Sequence, residues 1–84
     1  MASPKKPETV EFEYDGMTFE AVKSELESYE TNKQLAMGGS MYYRAVDRMF
    51  AGRDVEYSKM LGGSFDSMTA LINAAFAANA KAKN

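Results

Sequence analysis

From Val10 to Ala21 apolar and polar residues alternate. Val10, Phe12 and Tyr14 are separated by Glu11 and Glu13; after Asp15-Gly16 the alternation resumes with Met17, Phe19 and Ala21 around Thr18 and Glu20. A period of two is that of a half-buried strand. Asp-Gly is a strong two-residue hairpin signal, because a type I′ turn needs positive φ at both central positions. That turn sets Tyr14 opposite Met17, Phe12 opposite Phe19 and Val10 opposite Ala21, all on one face. Glu11, Glu13, Thr18 and Glu20 fall on the other. A lone hairpin is not stable in water, so its apolar face requires a cover of helices.

After the hairpin the period lengthens. Val22, Leu26 and Tyr29 are spaced four and three apart, which suits one stripe of a helix over about 22–36, running to Leu35 or breaking near Thr31-Asn32. Tyr42, Ala45, Val46 and Met49, with Phe50 at the edge, predict a second helix over 41–51, with Arg44 and Arg48 on its far side. Asp54 is placed to cap a short helix over 55–61. Phe65, Met68, Leu71, Ile72, Ala75 and Phe76 form the strongest stripe of the chain, in a last helix over 65–79. The tripeptide Gly-Gly-Ser occurs twice, at 38–40 and 62–64. Glycine suits the left-handed residue past a helix end, and serine suits an N-cap. Each copy is therefore predicted to end one helix and cap the next. A phosphate-binding loop would need a preceding strand and a following lysine, and neither copy has them.

The expected fold is α+β and mostly helical: an N-terminal β-hairpin followed by three to four short helices. A single small domain spans 10–78, between a flexible leader at 1–9 and a flexible tail at 80–84. At 84 residues such a domain buries only about 60% of its unfolded surface, so a partner or self-association is expected to add stability.

Composition narrows the chemistry. There is no cysteine and no histidine, which removes disulfides, thiol-based metal and redox sites, and the commonest general base. A serine or lysine nucleophile would lack its usual activating base. Glu11, Glu13 and Glu20 share a face, but one predicted to lie in water. The expectation is a non-enzyme with no cofactor and no metal. The net charge of −2 conceals an asymmetry: residues 8–30 carry eight acids against Lys23, and residues 31–84 carry seven bases against four acids. An acidic front half disfavours nucleic acid, where phosphate contacts dominate affinity. No apolar run is long enough for a membrane span, and the start of the chain lacks the apolar core of a secretory signal. Methionine is abundant, seven in all, six of them internal: Met17, Met37, Met41, Met49, Met60 and Met68. Its flexible thioether suits both irregular cores and adaptable apolar grooves. Tyr42, Tyr43, Met49, Met60, Met68, Leu71 and Phe76 are the candidate partner-contact residues, with plain core as the alternative for each.

"VEFEYDGMTFE" and "MYYRAVDRMFAGRDVEYSKMLGGSFDSMTALINAAF" together resemble the tail assembly chaperones of long-tailed bacteriophages and prophages, of the Gram-positive type. That family commonly shows an acidic leader and a hairpin of the form F-x-[YF]-D-G-x-x-[YF]. A leucine-bearing helix follows, then a helix ending near Gly-Arg-Asp and a final apolar helix with a charged tail. The resemblance covers roughly Val10 to Phe76. It implies a protein of the host cytoplasm, outside the mature virion, that binds the long helical tape-measure protein and shields its apolar surface during tail assembly. It also implies a longer product made by ribosomal frameshifting near the gene's end. A second expectation is a small adaptor or inhibitor, of a host enzyme or antitoxin-like. A DNA-binding regulator using Arg44, Arg48 and Arg53 is a third.

Overall fold

The computed structural model describes residues 7–82. Strands β1 (Thr9–Tyr14) and β2 (Met17–Val22) form an antiparallel hairpin. The pairs are those the alternation predicts: Tyr14 with Met17, Phe12 with Phe19 and Val10 with Ala21. Asp15 and Gly16 both take positive φ, 53° and 76°, as the primed turn requires. The ladder runs beyond the predicted strands. Thr9 pairs with Val22, and the Lys23 amide donates to the Glu8 carbonyl at 2.9 Å. The predicted leader at 1–9 therefore reaches into the sheet, and its first six residues lie outside the described ones. Glu11, Glu13, Thr18 and Glu20 are exposed; Phe12, Phe19 and Ala21 are buried.

Among the described residues five helices follow: α1 (Lys23–Leu26), α2 (Tyr29–Met37), α3 (Gly39–Met49), α4 (Asp54–Met60) and α5 (Phe65–Ala82). The helix expected over 22–36 is two helices, and the break lies at Glu27-Ser28 rather than at Thr31-Asn32. Ser28 caps α2 by accepting a hydrogen bond from the Thr31 amide at 3.1 Å. This new start turns Tyr29 outward, to 84% exposure, so Tyr29 leaves the predicted stripe while Val22 and Leu26 stay buried. Helix α2 buries only Thr31. It is tied down by a polar knot: Arg48 of α3 donates to Glu25, Thr31 and Gln34, and Thr31 donates to Glu25. Arg48 is thus half-buried and structural, not on a free far side.

The core lies between the hairpin's apolar face and α5. Met68, Leu71, Ile72 and Ala75 are its α5 members, joined by Leu26 from α1 and by Val46, Met49 and Phe50. Tyr57 of α4 stacks edge-on against Phe19 (4.8 Å between centroids) and Phe50 (5.5 Å), and its hydroxyl accepts from the Glu20 amide of β2. One side chain thereby covers part of the open β2 edge and seals the core. Helix α5 continues to Ala82, so the tail predicted at 80–84 is helical through its described part.

Candidate functional site

Two tight reversals bring α3, α4 and the start of α5 together. At the first, the Gly52 amide donates to the Asp47 carbonyl (2.9 Å) and the Ala51 amide to the Arg48 carbonyl (3.3 Å). These bonds end α3 in a Schellman motif. At the second, Gly63 donates to Ser58 (2.8 Å) and Gly62 to Lys59 (3.2 Å), the same motif with Gly62 in the left-handed position. Ser64 then caps α5 through the Ser67 amide at 3.0 Å. The second Gly-Gly-Ser therefore ends one helix and caps the next, as predicted. The first copy does only half of this. Gly38 is the last cap of α2 and the N-cap of α3 at once, Gly39 also has positive φ, and Ser40 caps nothing. Asp54 likewise is no cap: that position is Arg53, and Asp54 is the first residue of α4.

The three converging segments enclose a groove of about 270 Å³, lined by Tyr42, Tyr43 and Val46 of α3, by Asp54, Val55 and Ser58 of α4, and by residues 63–68 through Gly63, Ser64, Phe65 and Met68. This is smaller than the roughly 300–1,000 Å³ of small-molecule sites. Its floor is Val46 and Met68, both buried; its rim is Val55, 60% exposed, Phe65, 56% exposed, and Tyr43. Tyr42 joins the rim, its ring 5.2 Å from Tyr43 and 5.5 Å from Phe65. The buried Tyr42 hydroxyl has no hydrogen-bond partner among the described residues.

Asp54 supplies the groove's charge. Partial burial raises its carboxyl above the usual range, and a hydrogen bond with Asp47 of α3 raises it further, because the protonated form donates to its neighbour. Among the described residues no lysine or arginine pairs with either carboxyl. Arg53, next in sequence, is taken by Glu56 at 2.9 Å and lies over the Tyr57 ring.

Of the seven predicted contact residues, the structure brings Tyr42, Tyr43 and Met68 to this groove. Met49 and Leu71 are 0% exposed core and are corrected to that role. Met60 is exposed on α4 outside the groove lining, and Phe76 packs half-buried against the core. Asp54, Val55, Ser58, Ser64 and Phe65 were missed. Phe65 belongs to the predicted core stripe, but it is the first residue of α5 and is left exposed. Among the described residues no cluster of three or more acidic side chains could hold a metal ion, and no helix is long and apolar enough to cross a membrane. Compared with family models, curated proteins and solved structures, the chain matches none.

Proposed function

We propose that this protein is a binding protein that holds an apolar helical segment of a partner in the groove between α3, α4 and α5. The observation that carries this reading is the pair of large apolar side chains, Val55 and Phe65, left in water on either side of a buried apolar floor. Exposed apolar surface around a concavity marks interaction sites. An amphipathic helix fits such a site by inserting side chains three or four residues apart. The groove's small volume favours inserted side chains over a free metabolite.

The resemblance over Val10 to Phe76 gives this reading its biological form: a tail assembly chaperone that keeps the tape-measure protein soluble until tail-tube subunits surround it. The hairpin's exposed Glu11, Glu13 and Glu20 support it, since an acidic outer face keeps a loaded complex dispersed. The test is co-expression with the longest helical protein encoded downstream of this gene. Recovery of that protein in the soluble fraction, co-purifying with this one, is expected. An insoluble long protein with nothing co-purifying would remove the phage role and direct the search to a host-lysate capture, as for an adaptor.

A further inference from the structure

We propose that the groove selects a helical segment that carries a basic side chain beside its apolar anchor, and that Asp54, backed by Asp47, is the residue that reads the base. The inference rests on the groove reading above and adds the partner's chemistry to it. Most of the groove wall is apolar or hydroxylic; among the described residues Asp54 is its one charged member. Asp47 of α3 neighbours Asp54 and disfavours its charged form, and among the described residues no lysine or arginine pairs with either. Two acids held together without a counter-charge are a cost to the free protein that an incoming lysine or arginine removes. The nearby apolar rim excludes water from that pair once the groove is filled, which strengthens it relative to a free surface ion pair.

The groups facing Asp54 set the pH behaviour. Helix α3 contributes Asp47 and the phenols of Tyr42 and Tyr43. Helix α4 contributes the neighbouring Arg53–Glu56 pair, already satisfied. The turn and the start of α5 contribute Gly63, Ser64, Phe65 and Met68, none of which titrates. A basic partner needs Asp54 ionised, so selectivity is lost on acidification.

The probe is a fluorescent alanine-based helical peptide of about 18 residues, long enough to be helical in water. It carries a leucine stripe and either lysine or glutamine next to that stripe. Fluorescence anisotropy is expected to show the lysine peptide binding the wild-type protein on the order of fivefold more tightly than the glutamine peptide, the size of a partly exposed ion pair. Asp54→Asn is expected to abolish that difference, so that the lysine and glutamine peptides bind the variant equally. Asp47→Asn should keep the difference and move its loss to lower pH. Equal binding of both peptides to the wild type overturns the proposal and leaves the apolar groove standing. Binding of neither overturns the groove reading itself. A dimer in sedimentation that Val55→Glu dissociates puts a second copy in the groove and also overturns the proposal.

Discussion

Ala51 occupies a left-handed conformation, φ 53°, in the C′ position of the α3 Schellman motif. Glycine belongs there by preference, and here it comes one residue later, at Gly52. Relief of the left-handed strain in Ala51→Gly exceeds the added unfolded-chain entropy by about 0.5 kcal/mol, a rise of roughly 2–4 °C in Tm for a chain this size. A fall in Tm would contradict that balance. Asp54 offers a second test. Its folded carboxyl is raised above the unfolded value, so the folded state holds more protons between the two values, and stability declines as pH rises through that window. Asp54→Asn removes the decline. The variant is expected to be more stable than the wild type at neutral pH, with the advantage vanishing on acidification; urea titrations at both pH values check this. Individual residues were legible where a pattern depended on one neighbour, as with Asp15-Gly16. Asp54 was not, because its role comes from Asp47, seven positions away and across a chain reversal.

Elements were legible in proportion to how far local signals agreed. The hairpin was read to its register because alternation and turn chemistry both pointed to one pairing. Helix α5 was legible from its long stripe. The 22–36 segment was misread, because Tyr29 continues the spacing of Val22 and Leu26 even though Ser28 restarts the helix. An N-cap inside an apolar register is the signal that could have found the break. The joint between α2 and α3 depends on Gly38, at φ 75° and ψ −169°, a region open essentially only to glycine. A Cβ there meets no atom within 4 Å, so the effect of Gly38→Ala is backbone strain alone, about 1–3 kcal/mol. Chemical denaturation is expected to show that loss, and an unchanged midpoint would contradict it. Arg48→Ala acts on the same pair of helices through the polar knot. Its expected cost is about 1 kcal/mol, discounted for partial exposure. Amide exchange should rise in α2 before α5, since α2 buries almost nothing else; uniform acceleration would refute the separate attachment of α2.

At the scale of the molecule, the groove and the core share a floor: Val46 and Met68 belong to both. The hairpin turns its acidic face to water and packs β1 against α5 and β2 against α1 and α3. The groove lies where three helices meet at two reversals, and two of its rim residues, Val55 and Phe65, come from helix starts. Val55 follows no long stripe and is invisible to periodicity; Phe65 begins the α5 stripe, so periodicity reads it as core beside Met49 and Leu71, which are core, while the fold leaves it exposed. The measurement that tests the account most directly is co-purification of the proposed long helical partner with the Val55→Glu/Phe65→Glu double variant, beside Tyr29→Glu as a control. Tyr29 is the more exposed residue but lies on α2, away from the groove. Two charges on the groove rim are expected to abolish capture while the thermal melt remains cooperative, and Tyr29→Glu is expected to leave capture intact. Capture that survives the double variant, or is lost equally in both, would contradict a groove-centred binding protein.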